Sequence, residues 1–302
     1  MGILVVGSVA LDTVETPFGR VEEVLGGSAT YFSVSASFFT DVRLVAVVGK
    51  DFSDKYVQIL QGRGIDLQGL EKKPGSTFRW TGKYGYNLSD AQTQFLGLNV
   101  FADFEPKIPE VYRETPFLFL ANIQPDLQLQ VLKQVRRPDM VAADTMNCWI
   151  AEKRKDLLEL LKRVDILTIN ESETRQLSEE YNLVKAARRI QELGPKILVI
   201  KQGEYGVLMF EGDQIFSAPG YPLESVYDPT GAGDTFAGGF MGYLVNTRNF
   251  SSENLRRAIV FGSVMASFNV EDFSLNRLVK LTYPEIEERY RQFKRLSHFE
   301  GI

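Results

Sequence analysis

The chain has 302 residues, 44% hydrophobic and 24% charged, a composition that excludes a disordered or fibrous protein. A net charge of -5, with no basic block beyond pairs such as Arg136-Arg137 and Arg188-Arg189, argues against nucleic acid as a main partner. The single cysteine, Cys148, excludes an internal disulfide and points to a reducing, cytoplasmic setting, and no apolar run approaches the ~20 residues of a membrane span.

Ile3-Leu4-Val5-Val6, closed by Gly7, reads as a buried parallel strand rather than a signal peptide. Asp12 follows, either facing a ligand beyond a strand end or serving as a turn residue. Residues 13–24 fit a short hairpin outside the main sheet. Gly26 and Gly27 then open a helix of small residues over 29–39, suited to close packing or to a ligand passing near the backbone. A strand over 42–48 and a helix over 52–61 come next.

From residue 67 to about 103 the strand–helix rhythm breaks. Residues 77–81 and 84–86 read as short strands separated by Gly82-Lys83, and 95–99 rejoins them. So few strands cannot bury a core alone, so a small lid or a dimerisation surface is expected, with Trp80 and Tyr84 favouring contact with a partner or a substrate. Strands at 117–120, 140–144, 166–169 and 197–200 then alternate with helices at 126–136, 151–161 and 182–194. Residues 206–210 and 214–218 suit an antiparallel hairpin at the sheet edge. The expected fold class is α/β, a mostly parallel sheet with helices on both faces. Helices over 255–268 and 284–296 close the chain, and His298, the only histidine, falls in a polar tail.

The most informative stretch is Asp228-Pro229-Thr230-Gly231-Ala232-Gly233-Asp234, ahead of an apolar segment running to about Val245. Pro229 and the glycines favour a tight turn, and the helix that follows leaves about four N–H groups without partners, a natural anion site. Gly231 and Gly233 let the backbone approach that anion. Asp234 has two readings: a cap favouring the helix dipole, or a carboxylate taking the proton of a hydroxyl that attacks a bound phosphate.

Asp12, Asp144, Asn170 and Asp234 all fall at or just past strand ends, which in this architecture open onto one crevice. Asn170 and Glu173 suit magnesium-bound water and phosphate, and equally a capping box. Neither the ordinary P-loop nor the dinucleotide fingerprint is present.

These pieces together resemble the ribokinase-like (PfkB) carbohydrate kinases. The second signature of that family is similar to Asp228 through Phe236 with Gly238-Gly239, and the first is matched more loosely by Gly26-Gly27 with Ala29. Asp12, Gly49-Lys50-Asp51, Asn170 to Glu173 and Lys201 to Gly206 fall in the family's order, so the similarity runs from Met1 to about Leu281. The resemblance implies a single three-layer α/β domain over residues 1–302, with a β lid from 13–24 and 67–99. It implies transfer of the γ-phosphoryl of ATP, with Mg2+, to a hydroxyl on a sugar, sugar acid, polyol or nucleoside.

By the same resemblance Asp234 is the base, and the amides of Gly231, Ala232 and Gly233 hold developing charge. Asn170 and Glu173 organise magnesium and phosphate, and Lys201, Gly203 and Gly206 line the nucleotide side. Asp12, Gly26 and Gly27 hold the substrate. Asp228 and Thr230 match part of a monovalent-cation (K+) site, whereas the loop 268–273 lacks the glycine usual there, and Glu271 or Asp272 offers an alternative charge. Ser28 to Tyr31 stand where sugar kinases carry Asn, so the acceptor is open. A homodimer through the lid is expected. The competing readings are a hydroxymethyl kinase of vitamin-precursor type and a catalytically silent nucleotide-binding protein.

Overall fold

The computed structural model describes residues 2–88 and 91–298. Strand β1 (Gly2–Val6) leads into a hairpin, β2 (Ala10–Thr16) and β3 (Gly19–Gly26), and helix α1 (Ser28–Ala36) returns the chain to β4 (Asp41–Gly49). Helix α2 (Asp54–Gly62) connects to β5 (Ile65–Lys73), and a second excursion forms β6 (Phe78–Tyr84) and β7 (Ala91–Gly97). Then come β8 (Phe117–Leu120), α3 (Pro125–Leu132), β9 (Met140–Asp144), α4 (Asn147–Glu152), α5 (Arg154–Leu161) and β10 (Ile166–Asn170). Helices α6 (Glu171–Ser178) and α7 (Leu183–Gln191) lead to β11 (Ile197–Lys201), β12 (Val207–Glu211) and β13 (Gln214–Ala218). The last third holds α8 (Ala232–Thr247), α9 (Ser252–Asn269), α10 (Asn276–Lys280) and α11 (Tyr283–Ser297).

The nine-stranded sheet has the order β13-β12-β11-β10-β9-β8-β1-β4-β5, parallel except for the antiparallel β12 and β13 at one edge. Side chains alternate between its faces because the strand period is two. Ile3 and Val5 join one core with α1, α8 and α9, while Leu4 and Val6 join the other with α3, α5 and α7. Those two cores make the helix–sheet–helix layering. The chain moves outward from β1 to β4 and β5, then restarts on the other side of β1 at β8. The crevice beyond the carboxyl ends of β1 and β8 is therefore the topological switch point, where α/β sheets bind ligands.

The lid is a four-stranded sheet of order β3-β2-β6-β7. Two sequence expectations change here. Residues 67–73 are not lid: β5 pairs in parallel with β4 as the edge of the main sheet, and its polar alternation reflects an edge with one solvated face. Gly82-Lys83 is not a turn either, because β6 runs through it. A Cβ at Gly82 would lie 2.1 Å from the Trp80 ring, so the glycine makes room for an indole lying along the strand. Residues 89 and 90 of the expected lid lie outside the described residues. The helix expected over 151–161 is two helices, broken at Lys153.

Candidate active site

Gly27 begins α1 with φ +95, and a Cβ there would stand 2.6 Å from the Ser8 carbonyl oxygen. Only glycine lets the chain turn so tightly against the end of β1. Ser28 ties the switch point together: its Oγ lies 3.0 Å from Ser8 Oγ and donates to the Asn122 carbonyl at 3.3 Å. Asp12 is a buried β2 residue on this floor, not a turn residue. Its carboxyl is pushed up to about 7 by burial and by Asp228, and the Gly27 amide opposes that shift. A Cβ on Gly26 would fall 1.9 Å from Asp12 Oδ2, so that glycine keeps the space the carboxylate fills.

On the other side, Gly231 takes φ +72 as the N-cap of α8, and its missing Cβ lets the Tyr31 ring lie directly beneath, 2.4 Å from where a Cβ would be. Tyr31 is buried, with Asp12, Asp228 and Tyr84 facing its hydroxyl. The turn fixes the fate of the three amides. Ala232 N–H donates to the Pro229 carbonyl at 3.1 Å, so the expected three-amide cradle loses that member to the turn itself. Among the described residues neither the Gly231 nor the Gly233 amide has a protein acceptor. These are the unpaired donors that a helix start presents to an anion.

Asp234 sits in the first turn of α8, half-buried at the crevice. Burial and the carboxylates of Asp144 and Glu173 push its pKa up to about 7, against the pull of Lys201. Lys201, at the end of β11, binds Asp144 Oδ2 at 2.7 Å, and Asp144 ends β9. A Cβ on Gly233 would come within 3.1 Å of Lys201 Nζ. An ammonium group at the positive end of a helix is unfavourable unless an anion stands nearby. Here Asp144 supplies part of that charge, and a bound phosphate would supply the rest.

Asn170 and Glu173 form the capping box: Asn170 Oδ1 accepts from Glu173 N at 2.8 Å, and Glu173 Oε2 accepts from Asn170 N at 2.9 Å. Burial and Asp144 raise the Glu173 carboxyl to about 7. Among the described residues no three His, Cys, Asp or Glu side chains are grouped to bind a metal by themselves. This donor set fits magnesium held mainly by phosphate and water, with buried acids close by. Gly203 and Gly206 shape the loop from β11 to β12 with φ +59 and +100. Gly206 packs against the Ala218 carbonyl, whereas the Cβ side of Gly203 is open.

Asp228 and Thr230 do lie together, but their oxygens are engaged. Asp228 accepts from Thr230 N at 2.9 Å and from Ser274 N at 3.1 Å. The Thr230 carbonyl accepts from Asn269 Nδ2 at 2.8 Å, and Thr230 Oγ1 is hydrogen-bonded to the Tyr84 hydroxyl at 3.2 Å. That last bond links lid strand β6 to the amide turn. Sequence reasoning missed Asn269 and Ser35, the latter donating to the Thr235 carbonyl at 2.6 Å. Their signal was slight: one amide ending a mostly apolar helix, and one serine in a small-residue helix.

Comparison with known proteins gives the family and the fold. The model of the pfkB family carbohydrate kinases matches residues 3–280. A cytidine kinase of Thermococcus kodakarensis is 33% identical over 247 residues, 80% of this chain and 87% of that protein. A ribokinase of Lactococcus lactis is 26% identical over 279 residues, covering 85% and 88%. The nucleoside kinase structure from Methanocaldococcus jannaschii superposes with a TM-score of 0.77 at 20% identity, covering 97% of this chain and 99% of the other. At that identity the superposition speaks for the fold alone.

Proposed function

This chain belongs to the pfkB family of carbohydrate kinases and is an ATP-dependent kinase of the carbohydrate and nucleoside type; from that premise we propose that its acceptor is a nucleoside, with cytidine first. The observation that carries the chemistry is Asp234 standing beside unpaired amides and the Lys201 ammonium at one helix start. Phosphoryl transfer asks chiefly for positioning and for charge stabilisation around the migrating group.

In this reading Asp12 and the Gly27 backbone hold the acceptor's hydroxyls, and Asp234 takes the proton of the attacking one. The acceptor oxygen bonds to the γ-phosphorus as the bond from that phosphorus to the bridging oxygen of ATP breaks. ADP leaves, and the proton passes from Asp234 to solvent. The Gly231 and Gly233 amides and Lys201 stabilise the charge on the migrating group. Asn170 and Glu173 would hold magnesium through its bound water, and the ion would supply charge neutralisation for the phosphates. The lid excludes water that would otherwise take the phosphoryl group.

Support for a nucleoside comes from the 33% identity to a cytidine kinase, and from lid chemistry. Trp80 pairs with Asp12 in the β2–β6 register, so its indole shares the face of the acceptor acid and offers a flat surface to a base. Trp80 Nε1 donates to Thr93 Oγ1 at 3.0 Å, which fixes the ring. The test is ADP release with magnesium-ATP across cytidine, other nucleosides, ribose and polyols. Higher kcat/KM on cytidine than on ribose supports the reading, and the reverse order rejects it. Pairing of two copies through the lid is also a proposal, supported by the exposed Phe95 and Leu96 of β7. Sedimentation showing only monomer at micromolar concentration would reject it.

A further inference from the structure

The turn that carries the free amides must keep its shape while charge builds up beside it, and one buried side chain spans it. Asn269, the last residue of α9, is 1% exposed. Its Nδ2 donates to the Thr230 carbonyl at 2.8 Å, and its Oδ1 accepts from Thr235 Oγ1 at 3.1 Å. A carbonyl only accepts, so the first bond fixes which side-chain atom is the nitrogen. Thr230 and Thr235 bracket Gly231 to Asp234, so a single amide group fastens both ends of the segment.

The resemblance of the chain to the family suggested a monovalent cation beside this turn, and these residues do not fit one. A cation needs several oxygens directed at it with no hydrogen-bond donors between them. The Thr230 carbonyl already faces an N–H of Asn269, and both Asp228 oxygens face backbone N–H groups. The Val270 carbonyl accepts from Tyr227 N at 2.8 Å. Of the two alternative charges, Glu271 binds Arg277 Nε at 2.9 Å and Arg289 Nη2 at 2.7 Å, and Asp272 Oδ1 accepts from Phe273 N at 2.7 Å. The Arg289 guanidinium lies 3.5 Å above the Phe268 ring centroid. Each of the Asp228 carboxylate, Thr230 carbonyl and Val270 carbonyl oxygens thus already accepts a hydrogen bond, and the Glu271 charge is matched by two arginines.

We infer that Asn269 is the positioning residue that holds the amide turn in this chain, and that phosphoryl transfer here needs no monovalent cation. The inference rests on reading that turn as the phosphoryl cradle. Its first test needs no acceptor: thermal unfolding of the full chain in potassium chloride against tetramethylammonium chloride at equal ionic strength. An ion binding only the native state would raise Tm. Equal Tm values are expected, and a potassium-specific rise overturns the inference.

The second test compares kcat in the same two buffers for the wild type and Asn269→Asp. The carboxylate keeps the bond from Thr235 but cannot donate to the Thr230 carbonyl, and it sets two oxygens where a cation would bridge them. Wild-type kcat is expected to be the same in both salts. Asn269→Asp is expected to lose ~10–100-fold in kcat, the equivalent of one strong hydrogen bond, and to regain part of it in potassium. A purely structural role would lower Tm without creating potassium activation, so a variant equally active in both salts overturns the assignment. Failure to phosphorylate any acceptor would instead reject the proposed function, leaving the Tm comparison readable.

Discussion

Replacing Gly26 by alanine isolates the acceptor side of the site. Gly26 has no left-handed φ, so the backbone accepts the substitution and only space is at issue. The new methyl would sit 1.9 Å from Asp12 Oδ2 and 2.5 Å from its Cγ, far inside any non-bonded contact. The Asp12 carboxylate must swing away, giving up the Gly27 amide and its aim at the acceptor. A hydrogen bond to a charged group contributes ~1.5–3 kcal/mol, so kcat/KM for the acceptor should fall ~10–100-fold. KM for ATP should stay near wild type, because the nucleotide side is built from β11 and α8. Coupled assays of ADP release, varying acceptor and ATP in turn, separate the two effects. An unchanged kcat/KM for the acceptor would refute the role given to Asp12. Gly27→Ala is a poorer probe, because a φ of +95 and the Ser8 carbonyl strain the backbone itself.

The Asp234 carboxyl is held up at about 7, so its base form appears only as pH rises through that value, and kcat/KM should drop ~10-fold per pH unit below it. The Glu173 carboxyl beside it is likewise raised to about 7, so the limb belongs to these two acids together rather than to one residue, and a limb near the ordinary carboxylate value of ~4 would contradict the assignment. For stability the sign is opposite: a raised folded-state pKa stabilises fully below 3.8 and loses that contribution as pH rises through about 7, so Asp12→Asn should gain Tm over wild type at pH 8 and lose the gain towards pH 5. No Tm gain at pH 8 would count against the buried Asp12. Lys201→Met should cost ~100-fold or more in kcat, like the loss of one oxyanion donor, and should also lower Tm by leaving buried Asp144 unpaired. Adding Asp144→Asn should restore Tm but not turnover, and restored turnover would make Lys201 merely structural.

Much of the site was legible before the fold. The turn Asp228 to Asp234 announced a helix start with spare amides because Pro229, Gly231 and Gly233 leave the backbone few other paths. Short apolar runs ending in Asp144, Asn170 and Lys201 marked strand ends, and parallel-sheet topology brings such ends to one crevice. What stayed hidden depended on partners distant in sequence or on local geometry. Asn269 meets the turn across 39 positions, and Ser35 meets Thr235 across 200. The bond from Ala232 to Pro229 is settled by the torsions of the turn, which composition does not report. Strand β5 was misplaced because an edge strand with one wet face has the same alternation as a lid strand. For Asn170 and Glu173 the capping pattern formed as one of the two readings had it, and a cap that fixes both side chains at the crevice leaves a role towards magnesium-bound water open to test.

The measurement closest to the centre of the account is single-turnover phosphoryl transfer by Asp234→Asn, with ATP binding followed by calorimetry on the same preparation. The amide keeps the shape of the acid in the first turn of α8 but cannot take a proton. ATP affinity is expected to hold while transfer slows ~10²–10⁴-fold, the usual contribution of a general base. Transfer at a near wild-type rate would contradict the assignment of Asp234 as the base.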